Sequence, residues 1–221
     1  MSRPPPAAAD LAALQAAAAA HRLAVFGGFH PAPEEGLGAT LLLFGPAEPG
    51  FWPQVTAQPE FADSAPDPLD RWSARVIGAL ADRFGGVAHF PFGLPPYRPF
   101  YSWALRSGRA WASPVGLLVQ DSAGLLVSYR GALALPARLA LPEPPAAPPC
   151  ATCPQPCRTA CPAAALSPAG YDTAACHRFL DRPAGAGCMT QGCRVRTACP
   201  VAQSYARLAE QSAYHMRLFH R

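Results

Sequence analysis

The chain contains no lysine: all 18 of its basic residues are arginine. Acids are scarcer, at 14, which leaves a formal charge of +4. The imbalance is local. Residues 1–142 hold ten arginines and ten acids. Residues 143–221 hold eight arginines (Arg158, Arg178, Arg182, Arg194, Arg196, Arg207, Arg217, Arg221) against four acids (Glu143, Asp172, Asp181, Glu210). There is no run of 18 strongly apolar residues, so no transmembrane helix is expected. Ala7–Ala20 is apolar only through alanine and reads as a short helix capped near Asp10. The opening Met-Ser-Arg-Pro-Pro-Pro lacks the basic cluster and leucine-rich stretch of an export signal, which points to a cytoplasmic protein. Glycine-rich phosphate loops, a Ser/His/Asp order and an HExxH motif are all missing, so the common signatures of nucleotide binding, acyl transfer and zinc proteolysis are excluded.

Cysteine, by contrast, is concentrated. All eight lie between residues 150 and 199. The first four read Cys150-Ala-Thr-Cys153-Pro-Gln-Pro-Cys157-Arg-Thr-Ala-Cys161-Pro162; the last three read Cys188-Met-Thr-Gln-Gly-Cys193-Arg-Val-Arg-Thr-Ala-Cys199-Pro200, with Cys176 between them. This follows the two-cluster ferredoxin pattern C-x2-C-x2-C-x3-C-P, whose fourth cysteine ligates the other cluster. Eight thiolates ending in two Cys-Pro pairs predict two [4Fe–4S] clusters. By the crossover logic one takes Cys150, Cys153, Cys157 and Cys199, and the other takes Cys161, Cys176, Cys188 and Cys193. The first run carries one extra residue between its second and third cysteines, and the closing run is stretched to C-x4-C-x5-C-P.

Two other uses of the thiols compete. A zinc-stapled binding module needs four ligands per site and often shows two CxxC pairs, yet only Cys150 and Cys153 make such a pair. Disulfides require an oxidising compartment, which the N-terminus argues against. The arginine excess fits two clusters of charge about −2 each. An RNA-facing surface is the alternative reading of the same charge, although no nucleic-acid motif accompanies it.

A proline-rich stretch over residues 141–149 separates the cysteine half from the rest and reads as a stiff linker between domains at 1–140 and 150–221. The first domain mixes strand and helix signals. Leu23–Phe29 and Thr40–Phe44 are short glycine-bounded apolar runs that predict buried strands. From Pro68 to Phe84, Leu69, Trp72, Val76, Leu80 and Phe84 recur at steps of three and four before Gly85-Gly86, which predicts a helix. Gly116–Val119 and Gly124–Tyr129 around Gln120–Gly124 predict a β-hairpin. The expected class is α+β, an α/β-layered N-terminal domain followed by a small ferredoxin-like domain with two [4Fe–4S] clusters.

One further candidate site is the aromatic loop between His89 and Trp103, where Phe90, Phe92, Tyr97, Arg98 and Trp103 are the residues expected to wall a flat cofactor. The same aromatics also suit a loop that tucks into the core. His177, next to Cys176, is placed in sequence to hydrogen-bond a cluster sulfur or gate protons, although most such residues are ordinary polar surface. A final helix from Pro200 is expected to present Val201, Tyr205, Leu208, Met216 and Phe219 as one stripe.

Taken together, CATCPQPCRTACP, then Asp172-x3-Cys176-His-Arg-Phe-Leu180, then Gly192-Cys193-x5-Cys199-Pro200, resemble the ferredoxin half of the epoxyqueuosine reductase family. The resemblance is specific over about fifty residues and faint before them. Tyr129-Arg-Gly131 ahead of an apolar strand is faintly similar to corrinoid-processing relatives. The resemblance implies a flavin-reductase-like first domain binding cobalamin or a flavin, electron delivery from the clusters, and tRNA as a possible partner. The family's helical-repeat tail is absent. The functional expectation is an iron–sulfur oxidoreductase or carrier that exchanges electrons with a donor or acceptor protein or a small redox cofactor.

Overall fold

Short apolar runs bounded by glycine become strands here, and the one long segment with helical periodicity becomes the main helix. The computed structural model describes residues 10–167 and 170–220. Ala7–Ala9, the N-terminal Met-Ser-Arg-Pro stretch and Arg221 fall outside the described residues. In chain order the elements begin α1 (Leu11–Ala19), β1 (Leu23–Phe29), β2 (Thr40–Pro46), α2 (Phe51–Thr56), α3 (Pro59–Ala62) and α4 (Pro68–Phe84). They continue with β3 (Val87–His89), α5 (Phe100–Arg106), β4 (Ala110–Ala112), β5 (Leu118–Gln120) and β6 (Gly131–Leu135). The cysteine region adds β7 (Leu166–Ser167), β8 (Gly170–Tyr171), α6 (Thr173–Leu180), α7 (Ala186–Gln191), α8 (Arg194–Thr197), α9 (Pro200–Ser204) and α10 (Ala209–Phe219). The class is mixed α+β with antiparallel sheets. Among the described residues no helix is long and apolar enough to cross a membrane.

The chain divides into two compact units, and the division is not linear. The first comprises residues up to 109 together with 128–144; the second comprises 110–127 together with residues from 145 onward. The expected linear split at 141–149 therefore misplaces 110–127. That segment's apolar side chains are buried among cysteines rather than in the N-terminal core.

In the first unit, an antiparallel sheet of order β1-β2-β6-β3 forms the centre. Leu41, Leu42, Leu43 and Phe44 of β2 and Leu133 and Leu135 of β6 are wholly buried. A strand buried on both faces has no polar alternation, which is why the run Thr40–Phe44 reads as continuously apolar. Helix α4 packs on β6 and β3. Pro68 occupies its first turn, and Gly85, at φ 67°, ends it in the left-handed region. Leu69, Trp72, Val76, Ile77, Leu80 and Phe84 are its buried face, each contributing about 1.5–3 kcal/mol.

The same unit carries a charged clamp. Arg106 donates to both carboxylate oxygens of Glu35 at 2.6 and 2.7 Å, and its guanidinium lies 4.0 Å from the centre of the Phe29 ring. These hydrogen bonds, with a third from the Ala32 amide, hold the Glu35 carboxyl down at about 2. The folded value is depressed, so the stability this contributes is present above the ordinary glutamate value of about 4.3. It is lost as pH falls through about 2. Glu35→Gln should therefore melt below the parent at pH 7, with the gap closing toward pH 2 in thermal melts. An equal gap at both pH values would show that the charge is irrelevant.

Two expected elements differ. The hairpin pairs Ala110–Ala112 with Leu118–Gln120, not Gly116–Val119 with Gly124–Tyr129. Past Gln120 only an isolated bridge to Gly124 forms, and Leu125, Leu126 and Val127 are buried without strand pairing. The final helix is broken in two. Ala206 takes φ 58° and Leu208 is extended, so α9 and α10 point their apolar residues separately and no single stripe runs from Val201 to Phe219.

Candidate functional site

Local signals place each thiol. Cys157 sits in a 3-10 turn opened by Pro156. Asp172 caps α6, its Oδ1 accepting from the Ala175 amide at 2.8 Å, which fixes the first turn and so the position of Cys176. Cys188 lies in α7, and Gly192, at φ 94°, ends that helix so that Cys193 can start α8. A Cβ at Gly192 would lie 2.6 Å from that of Ser212, so only glycine fits. Cys199 precedes α9 with Pro200 in the first turn, where a missing N–H costs nothing.

No disulfide joins any of the eight. Their mutual influence sorts them into two sets. Burial pushes the Cys150 thiol up, and the neighbouring charges of Cys153, Cys157 and Cys199 push it further. Cys157 is raised by burial, then by Cys199 and Cys153. Cys176 is raised by burial, then by Cys193, Cys161 and Cys188. Cys188 is raised by burial and also feels Cys193 and Cys161. Backbone amides already point at several sulfurs: Gln155 donates to Cys153 and Ala165 to Cys161, each at 3.3 Å. Among the described residues no group of three or more His, Cys, Asp or Glu is arranged to hold a single metal ion.

Segment 110–127 covers the first set. Val115, Val119, Leu125 and Leu126 are buried with Cys157, Val195, Cys199 and Ala202, and Trp111, Cys150 and Cys161 pack against them. Gly124, at φ 56°, comes so close that a Cβ would lie 2.5 Å from the Ala202 nitrogen and 2.9 Å from the Cys199 sulfur. Two arginines tie the segment down through its carbonyls. Arg196 donates to Leu125 at 2.8 Å and Arg207 to Leu126 at 3.0 Å. Arg196 also lies in the field of Cys193 and Tyr171, and its burial lowers it. Nothing in the cysteine spacing signals this cover; the only clue was an apolar run, Leu125–Val127, too rich for a surface hairpin.

Beside the second set stands a stack of rings. The Tyr171 phenol lies in the field of the Cys176 thiol, whose pKa it lowers against the rise from burial. Burial and that thiol's charge push the phenol well up. Its ring is stacked on Phe219 at 6.0 Å, Phe219 on His177 at 4.5 Å, and His177 on His220 at 5.0 Å. The Nδ1 atoms of His177 and His220 are 2.7 Å apart, and His220 Nε2 lies 3.1 Å from Asp181 Oδ1. His177, one candidate for a cluster sulfur, spends its Nδ1 on His220.

In the first unit the aromatic loop does not act as one wall. Trp103 is 3% exposed, a core residue against His89 and Phe100, so it cannot line an open cofactor site. Phe90 and Phe92 stack on each other and are half-buried. Tyr97 and Arg98 are exposed, and the Arg98 charge, after burial, lowers His89.

Comparison with known protein families, with curated proteins and with solved structures finds no match to this chain.

Proposed function

We propose that this chain is an iron–sulfur electron-transfer protein binding two [4Fe–4S] clusters. Cys150, Cys153, Cys157 and Cys199 would hold one, and Cys161, Cys176, Cys188 and Cys193 the other. The observation that carries this is the grouping of the thiols: Cys157, Cys199 and Cys150 pack in one buried cluster and Cys188 and Cys176 in another. The charges that raise Cys150 come from Cys153, Cys157 and Cys199, while those that raise Cys176 come from Cys193, Cys161 and Cys188. That is the crossover of two-cluster ferredoxins. The chemistry of the donors fits as well. Burial and the charge of neighbouring thiols raise Cys150 and Cys157 in one set and Cys176 and Cys188 in the other. Ionising such a set calls for a cationic core among its members, and an iron–sulfide core would supply one. A tetrahedral zinc holds its sulfurs at about 2.3 Å and draws the four thiols tightly together, whereas a cubane puts one iron behind each thiolate and accepts a wider set.

When bound, such clusters store and pass single electrons. The chain's own residues hold and tune them. Amides of Gln155 and Ala165 donate to the sulfurs of Cys153 and Cys161, which favours the ionised ligand and the reduced state. The 110–127 cover excludes water from Cys157 and Cys199. The resemblance to epoxyqueuosine reductases supports an oxidoreductase, with cobalamin or a flavin as a second centre near Phe90, Phe92, Tyr97 and Arg98. Anaerobic reconstitution followed by metal analysis tests the core of the proposal. About eight iron and eight sulfide per chain are expected; two zinc and no iron would overturn it.

A further inference from the structure

Among the described residues Leu125–Val127 pair with no strand, yet they lie against two buried thiols. Past Gln120 the described backbone bonds are one isolated bridge, Gln120 to Gly124, and two turn bonds, from the Leu126 amide to Ala123 and from the Val127 amide to Gly124. Leu125 and Leu126 are nonetheless 1% and 6% exposed, in one cluster with Cys157 and Cys199 at 6% and 7%. Buried carbonyls need donors, and outside a sheet side chains must supply them. Two guanidiniums do: Arg196 reaches the Leu125 oxygen at 2.8 Å and Arg207 the Leu126 oxygen at 3.0 Å.

The two donors come from separate elements. Arg196 lies on α8, midway in sequence between Cys193 and Cys199, and Arg207 lies in the link between α9 and α10. The turn that leads into the segment is stiff, because the Gln120 Oε1 accepts from the Ser122 and Ala123 amides at 2.8 and 2.7 Å. The seat is tight. Gly124, at φ 56°, has no room for a Cβ, which would stand 2.5 Å from the Ala202 nitrogen and 2.9 Å from the Cys199 sulfur. A segment held by side-chain bonds from other elements, and not by a ladder, can lift without breaking the strands and helices around it.

We propose that Arg196 and Arg207 are positioning residues for the first cysteine set: they fasten Gly124–Val127 as a strap over Cys157 and Cys199, and a metal ion or thiol reagent reaches those two sulfurs only when the strap lifts. The strap concerns the thiols themselves and stands whether or not the cluster reading above holds. Cys188 provides the contrast. It is buried to the same 6%, but against Leu180, Met189 and Met216 of α6, α7 and α10. A thiol reachable only from an open state reacts in proportion to the population of that state. A hydrogen bond from a charged donor to a carbonyl is strong enough that losing one should raise the open population about tenfold.

The test is alkylation of the full, metal-free chain by iodoacetamide, each cysteine being followed by peptide mass spectrometry and its rate divided by that of the same cysteine in the urea-unfolded chain. In the parent, Cys157 and Cys199 should be protected about tenfold or more beyond the half-buried Cys153. Arg196→Gln and Arg207→Gln should each speed Cys157 and Cys199 by about tenfold while Cys188 stays within about twofold of its parental rate. Gly124→Ala blocks the seat without touching either arginine and should give the same pattern. Arg207→Lys, which keeps a charged donor, should fall between Arg207→Gln and the parent. Parental rates at Cys157 and Cys199 in both glutamine variants and in Gly124→Ala would overturn the strap. So would an equal rise at Cys188, since the arginines would then only stabilise the unit as a whole. A parent whose Cys157 and Cys199 are no better protected than Cys153 would overturn it too, because the strap would already lie open.

Discussion

Cys199→Ala is expected to strip the cluster served by Cys150, Cys153 and Cys157, leaving about four iron per chain. Sequence distance alone would assign Cys199 to Cys193, six residues before it. The folded chain argues otherwise. Cys150 and Cys157 both feel the charge of Cys199, whereas Cys176 and Cys188 feel Cys193 and Cys161. Cys161→Ala is the mirror test and should remove the set formed with Cys176, Cys188 and Cys193. Because each of these ligands comes from the other cysteine run, each loss should also loosen the packing between runs, and the double variant should lose both clusters and much of the second unit. Paramagnetic resonance of the reduced single variants separates the two signals. If the Cys199→Ala signal loss tracked Cys188 and Cys193 instead, each run would hold its own cluster and the crossover would be wrong.

How far the sequence anticipates the structure depends on whether a feature is local. The Asp172 cap and the 68–84 periodicity are local, and their consequences appear where expected: β1, β2 and α4 match their runs, and Asp172 caps α6. What was illegible depends on long-range partners. Leu125–Val127 has the composition of a strand, but its neighbours are Cys199, Val195 and Ala202, more than sixty residues on, and packing against them replaces strand pairing. Trp103 belongs to a loop that reads as a cofactor wall, yet burial against Phe100 and His89 makes it core. His177 has a sulfur one residue away and a better partner forty-three residues away. Backbone conformation decides the last case: nothing in the composition of Tyr205–Leu208 announces the left-handed Ala206 that splits α9 from α10.

The second large effect concerns where the cysteine-bearing unit begins. A fragment starting at residue 145 contains all eight cysteines and begins within the proline-rich stretch, so it looks like a natural domain. It is expected to fail. It lacks Val115, Val119, Leu125 and Leu126, each at most 6% exposed among Cys157, Val195 and Cys199. At about 1.5–3 kcal/mol apiece, these four side chains represent about 6–12 kcal/mol of burial. Even discounted for a compact unfolded chain, that rivals the whole stability of a typical domain, about 5–15 kcal/mol. The fragment also leaves Arg196 and Arg207 without the Leu125 and Leu126 carbonyls that they reach. Fragment 145–221 should therefore bind little iron and show no cooperative melt. A chain of residues 110–221 in which a Gly/Ser linker of equal length replaces 128–144 should restore both, because it returns the cover without the first unit. Full iron loading by the short fragment would show that the cover is dispensable, and the boundary would then lie at the proline-rich stretch after all.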